Sequence, residues 1–161
     1  MKTAVVYHSG YGHTQRVAQF VADGAQAQLI AIDADGNISE ADWAALDAAD
    51  AIVFGSPTYM GMVSWQFKKF ADASSKRWFS GAWRDKVAGG FTISGSPSGD
   101  KLSTIQYFIT LAMQHGMVWV GQPAMNDGNI NRIGSNSGVM AQVGPTSPAA
   151  DIPQGDLDTA K

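Results

Sequence analysis

Short apolar runs alternate along this chain with longer stretches in which apolar residues return every three or four positions. Thr3 to Tyr7, Ala27 to Ile32, Ala51 to Phe54, Val87 to Ser94 and Met117 to Val120 are short, apolar and partly β-branched, the pattern of strands buried on both faces. Between them, Val17, Phe20 and Val21 fall at i, i+3 and i+4, and Ser39 with Asp42 has capping-box spacing ahead of Trp43 and Leu46. A third helical stretch sets Phe67, Phe70, Ala71, Ser74 and Trp78 on one face. A fourth repeats Ile105, Phe108, Ile109 and Ala112 and stops at Gly116, a residue suited to the left-handed turn that ends a helix.

The order is βαβαβαβαβ, so the expected fold is α/β: a five-stranded parallel sheet with helices on both faces and right-handed crossovers. At 161 residues, positions 1–161 are read as a single domain. From Gly121 to Gln154 the chain is rich in Gly, Pro, Asn and Ser with no clear period, which points to a functional or interface loop. Gly155 to Lys161 reads as the opening of a helix that does not continue, so the final helix is expected to be missing or truncated. An oligomeric partner is one way to cover the sheet there.

Composition narrows the chemistry. A net charge of -3 with no Lys/Arg cluster argues against nucleic acid as a partner. Without cysteine there are no disulfides, thiolate nucleophiles or sulfur-ligated metals, and redox chemistry must come from a cofactor. No apolar run approaches the ~20 residues of a membrane span, and no signal-peptide pattern opens the chain, so a cytoplasmic location is expected.

Three loops leave the C-terminal ends of expected strands, the edge at which open parallel sheets bind ligands. The first, Ser9-Gly10-Tyr11-Gly12-His13-Thr14, runs from a strand into a helix, with backbone N–H groups, a helix dipole and two hydroxyls available to a phosphate. A P-loop is excluded because no Gly-x-x-x-x-Gly-Lys run exists. A dinucleotide site is closer, with Gly10 and Gly12 in place and Asp33 after the second strand, but Gln15 replaces the third glycine. The hydroxyls of Ser9 and Thr14 suit a terminal phosphate monoester, which favours a mononucleotide. Either hydroxyl alone is also compatible with an ordinary helix cap.

The second loop, Gly55 to Met62, includes Pro57, Thr58, Tyr59, Met60 and Gly61 and could cradle a flat heteroaromatic ring. Tyr59 and Met60 plugging an interface is the alternative. The third loop runs from Ser94 through Gly95, Ser96, Pro97 and Ser98 to Gly99; Pro97 stands where a hydrolase elbow requires serine. His8, His13 and His115 lack metal-site spacing, so no metal is assigned.

These residues resemble the WrbA-type, flavodoxin-like NAD(P)H:quinone oxidoreductases. The match rests on Tyr11-Gly12-His13, Phe54-Gly55-Ser56-Pro57-Thr58 with Gly61, Trp78 with Ser80-Gly81, the Gly95 turn and His115-Gly116-Met117, in order over nearly the whole chain. The resemblance implies FMN, a three-layer fold with strand order 2-1-3-4-5, and a homo-oligomer, a dimer or a tetramer in which neighbouring subunits complete the flavin pockets. It implies that Ser9 to Thr14 hold the FMN phosphate, that Pro57 to Gly61 hold the ring, and that Ile93 to Ser98 line its other edge. Tyr11, Trp78 and His115 would border the substrate space, with Trp78 supplied by an adjacent subunit; a core tryptophan on the Phe67/Phe70 face is the alternative. The chain departs from the family pattern in a shorter segment between the second and third strands, in Gln114 where a histidine is usual, and in the terminal helix.

The expected activity is two-electron transfer from NADH or NADPH through FMN to a quinone by a ping-pong mechanism. No side chain is assigned as acid or base, and His115 and Tyr59 are candidates to orient a quinone oxygen. A flavodoxin-like single-electron carrier and an FMN-free interaction module are the alternatives.

Overall fold

A computed structural model describes all 161 residues. Its strands are β1 (Thr3–His8), β2 (Gln28–Ile32), β3 (Ala51–Tyr59), β4 (Met62–Val63), β5 (Val87–Ser94), β6 (Val118–Trp119) and β7 (Val139–Gln142). Its helices are α1 (His13–Ala25), α2 (Glu40–Ala48), α3 (Trp65–Ala73), α4 (Ser75–Ser80), α5 (Lys101–Gln114) and α6 (Gln154–Ala160). The sheet order is β2-β1-β3-β5-β6, parallel throughout this path, with β4 hairpinned onto β3 and β7 paired to β5. The three-layer, flavodoxin-like α/β fold and the expected order are therefore present, with seven strands where five were read.

Alternation along the strands divides the core between the two faces of the sheet. Val5 and Tyr7 of β1 pack with Val17, Ala18 and Val21 of α1 and Leu157 of α6. Ala4 and Val6 face the other way, joining Ile52, Phe54, Trp43, Phe67, Phe70 and Phe108. The α2 capping box is formed: Ser39 Oγ accepts from the Asp42 N–H, and the Asp42 carboxylate accepts from the Ser39 N–H.

Three elements differ from the sequence expectation, each for a local reason. β3 continues five residues past Phe54, because Gly55 to Tyr59 keep pairing with β5 and then with β4. The third helix breaks at Ser74, whose hydroxyl donates to Ala71 O at 2.6 Å. The break resets the helical phase, so Trp78 leaves the Phe67/Phe70 face and is 53% exposed, and Trp83 enters the core instead, stacking near Trp43 and Phe70.

The expected edge strand is split. β6 pairs only with the foot of β5 at Val87 and Ala88, and β7 takes the upper half from Phe91 to Ser94. The excursion at 120–138 leaves and returns to the same edge, tied by Trp119 Nε1 donating to Ser137 O at 2.9 Å. Gly155 to Lys161, read as the opening of a helix, falls in the short α6, whose Leu157 and Ala160 are buried in the α1 cluster. No helix is long and apolar enough to cross a membrane.

Two predictions follow from this packing. A Cβ on Gly55 would lie 2.7 Å from Cε1 and Cε2 of the fully buried Phe91. Gly55→Ala is therefore expected to lower unfolding free energy by about 1–3 kcal/mol in a denaturant titration. His8 and His115 are both buried, and burial pushes both imidazole pKa values below the ordinary 6.5. Below that value the unfolded chain binds protons that the native state refuses, so stability falls as pH drops from 7 towards 5. In a thermal melt series the slope should flatten in a His8→Asn, His115→Gln double variant; equal slopes would contradict the assignment.

Candidate functional site

Tyr7 is paired with Gly55 and Gly55 with Phe91, and from that row β1 ends at His8 while β3 and β5 run on to Tyr59 and Ser94 at the same edge of the sheet. The three loops therefore leave the sheet side by side. After β1 the chain turns through Gly12, whose φ of 86° is strained for any residue with a side chain, and enters α1 with no side-chain cap. Ser9 Oγ accepts from the N–H groups of Gly12 at 3.1 Å and Gln15 at 3.2 Å, leaving its own proton to donate. The N–H groups of Gly10, Tyr11, His13 and Thr14 find no acceptor in the chain. Thr14 is buried and lines the adjacent cleft.

The second wall comes from β3 and its hairpin. Met60 and Gly61 form the turn, with φ of 47° and 78°, and Met60 is fully exposed at its tip. Thr58 points its hydroxyl inward, 2.8 Å from both Thr92 Oγ1 and Thr104 Oγ1, so it pins the strand and leaves its backbone at the cleft. Tyr59 lies over the first loop: a Cβ on Gly10 would sit 2.8 Å from its hydroxyl, so a larger residue there would displace the end of the Tyr59 side chain. Tyr11 meets the Tyr59 ring edge-on at 6.4 Å. Burial, with Tyr11 second, raises the Tyr59 pKa, so its phenol stays protonated and serves as a donor.

Together these walls form a cleft of about 200 Å³, lined by Tyr11, His13, Thr14, Pro57, Thr58, Tyr59, Ile93, Ser94 and Gly95 from the three loops. Of the other residues singled out in the sequence, Ser9, Gly10 and Gly12 build the turn beneath it, and Met60 and Gly61 stay at the hairpin tip. Pro97 and Ser98 face a separate groove with Leu102 and Arg132, and Ser96 holds the loop through its carbonyl.

Sequence reasoning missed a fourth wall. Val143 and Pro145, after β7, close the cleft, and His13 ties this segment to the first loop through a 2.7 Å hydrogen bond between Nε2 and Ser147 O. Asp33, weighed as a ribose ligand, instead accepts from the N–H groups of Asp35 and Asn37 and closes its own turn. The donors fit a phosphate monoester: four free N–H groups, two hydroxyls and a helix start, with no cation in the loop. Arg16, the nearest, stacks its guanidinium over Phe20 at 5.0 Å.

Trp78 and His115 lie elsewhere. α5 begins at the cleft edge and runs 14 residues, ~21 Å at 1.5 Å per residue, to the opposite end of the sheet, where Val118 pairs with Val87. There His115 Nε2 is hydrogen-bonded to Ser74 Oγ at 2.8 Å, its ring packs at a tilt against Trp83 at 4.4 Å, and it borders a second cleft with Trp78 and Tyr107. Because the Ser74 hydroxyl already donates to Ala71 O, His115 Nε2 carries the proton, and its buried Nδ1 has no partner. Burial, helped by Asp72, pushes the Tyr107 phenol up to about 12. One chain thus does not bring Tyr11 together with Trp78 and His115.

Comparison with known proteins agrees with this architecture. Residues 1–131 match the family model for NADPH-dependent FMN reductase. The chain is 52% identical to a protein named flavodoxin FldP from Pseudomonas aeruginosa, covering 99% of this chain and 91% of that one. It is 35% identical to an NAD(P)H dehydrogenase (quinone) from Geobacter sulfurreducens, over 76% of this chain and 72% of that one. A crystal structure of a flavodoxin, WrbA-like protein from Agrobacterium tumefaciens superposes with a TM-score of 0.83 at 58% identity, covering 99% and 89% of the two chains. The Trp repressor binding protein of Bacillus subtilis shares the fold at 20% identity and a TM-score of 0.73, over 99% and 95%. With three loops at one sheet edge, the open start of α1 and these matches in agreement, the chain belongs to the FMN reductase family, in its WrbA-type, flavodoxin-like branch.

Proposed function

We propose that this protein binds FMN in the cleft at the C-terminal edge of the sheet and moves two electrons from NADH or NADPH to a quinone. The observation that carries the reading is the set of four unpaired N–H groups at Gly10, Tyr11, His13 and Thr14. The first N–H groups of a helix have no partner within it, and a phosphate at this helix start would satisfy the four together. FMN, when bound, supplies the hydride and electron chemistry.

The chain's residues would bind and orient. Ser9 and Thr14 offer hydroxyl donors to the phosphate. The Tyr59 phenol, kept protonated by burial, donates without acting as a base. Ile93 and Val143 exclude water from one side of the ring site. A groove of about 200 Å³ is smaller than the ~300–1,000 Å³ of sites that enclose a ligand, so part of the ring stays open to a second reactant. Donor and quinone would then use that opening in turn, which suits ping-pong kinetics. In a homo-oligomer, Trp78 and His115 of a neighbouring subunit would border the same opening, with His115 Nε2–H committed to Ser74 and the Trp78 indole free to stack on a quinone.

A single-electron carrier is the second reading, favoured by the higher identity to the protein named flavodoxin over nearly the whole chain. The two separate in one experiment: anaerobic NAD(P)H bleaches the flavin absorbance within the mixing time of a turnover enzyme, and a carrier requires a protein reductase.

The phosphate assignment predicts that FMN binds at least about a hundredfold more tightly than riboflavin, because two lost charge-assisted bonds cost about 1.5–3 kcal/mol each. Thr14→Val should weaken FMN about tenfold in a fluorescence-quenching titration and leave riboflavin unchanged. Equal affinities for the two flavins would remove the phosphate from the first loop. Trp78→Ala should raise the quinone KM about tenfold without changing FMN affinity; unchanged steady-state kinetics would separate Trp78 from the substrate space.

A further inference from the structure

α5 carries a lysine on its buried face. Lys101 falls in register with Thr104, Ile105 and Phe108 at i, i+3, i+4 and i+7, and it is as fully buried as they are. Its Nζ donates to Ser94 Oγ at 2.8 Å, Ser96 O at 2.7 Å and Pro97 O at 2.8 Å. An ammonium has three protons, so this cage saturates it, and its acceptors are the last residue of β5 and two carbonyls of the loop that follows. The same loop closes on the helix start through Lys101 N–H donating to Ser98 O at 3.1 Å.

The cage has a geometric consequence at the cleft. With the Ser96 and Pro97 carbonyls turned in towards the ammonium, the N–H groups of Gly95, Ser96 and Ser98 are left with no acceptor in the chain. Ser94 and Gly95 form the cleft wall, so the charge lies one hydrogen bond behind that wall. An apolar side chain could fill the helix face without desolvating a cation, and a buried charge is weak evidence for stability. The charge therefore serves the loop.

We infer that Lys101 is a positioning residue for the cofactor cleft: its ammonium fixes loop 94–98 with the N–H groups outward, and loss of its proton releases the loop and weakens FMN. This rests on the FMN reading above. The charged groups facing Lys101 are Asp156 of α6, which favours its proton, and Arg132 of the 120–138 excursion, which opposes it; the two are ion-paired at 2.7 Å. Burial outweighs both and brings the Lys101 pKa down from 10.5 to about 8.

The sign of two effects then differs. Between about 8 and 10.5 the native state has lost a proton that the unfolded chain keeps, so this group makes the fold more stable as pH rises. FMN affinity falls across the same window. A lysine that only held the fold together would move both in one direction.

The test measures FMN dissociation constants from pH 7 to 9.5 for the wild type and Lys101→Met, alongside amide shifts of Gly95, Ser96 and Ser98 in the FMN-free wild type. The wild type should lose about tenfold in affinity with a midpoint near 8, and the three amides should move with that midpoint. Lys101→Met should bind about tenfold more weakly at pH 7, with a flat profile. If that variant does not fold, the wild-type titration and the amide shifts decide alone. Constant affinity with stationary amides overturns the role of Lys101 and leaves the FMN reading intact. Failure of the wild type to bind FMN at any pH overturns the FMN reading, and this assignment with it.

Discussion

Parallel pairing of β1, β3 and β5, which brings the C-terminal ends of all three strands to one edge of the sheet, is the constraint on which the cleft depends. Tyr7, Gly55 and Phe91 stand abreast, and the close contact of Phe91 with Gly55 leaves no room for a larger residue there. A slip of one residue would turn every side chain to the opposite face of the sheet. It would exchange the Val5/Tyr7 and Ala4/Val6 clusters and stagger the loops. The binding edge is thus set by core packing, and the loops inherit their alignment from it.

Given that edge, the chain assembles the site from neutral donors. The first loop contains no Lys or Arg, and the N-cap residue of α1 is Gly12, which has no side chain to cap it, so the helix dipole and the remaining free N–H groups are left for a ligand. Lys101 sits behind the third wall and acts on carbonyls of the third loop. The two loops reach a similar result by different means. One presents N–H groups because a helix starts there, the other because a buried ammonium draws its carbonyls away.

Much of this was legible in the residues. Alternating apolar runs and i, i+3, i+4 patterns pointed to a parallel sheet with helices on both faces, the strand order came with the resemblance to the WrbA-type family, and the strand-turn-helix motif located the first loop. Three features escaped for physical reasons. The Ser74 break depends on a side chain bonding back to Ala71, which periodicity does not register, so Trp78 was carried on the wrong helical phase. β7 is four residues long within a Gly- and Pro-rich stretch, and pairing supplied by β5, absent from local sequence, makes it a strand. Lys101 carried a usable signal, since it shares the stripe of Thr104, Ile105 and Phe108. Its charge masked that position as a surface residue.

The chain has two clefts at opposite ends of the sheet, one beside Thr14 and Tyr59 and one beside Trp78 and His115. The central claim is that the first holds the cofactor. Amide chemical-shift mapping during an FMN titration tests it directly. The account predicts the largest shifts at Gly10, Tyr11, His13 and Thr14, whose N–H groups lack partners. Shifts concentrated instead at Ser74, Trp78, Thr110 and His115, with the first loop unmoved, would contradict it.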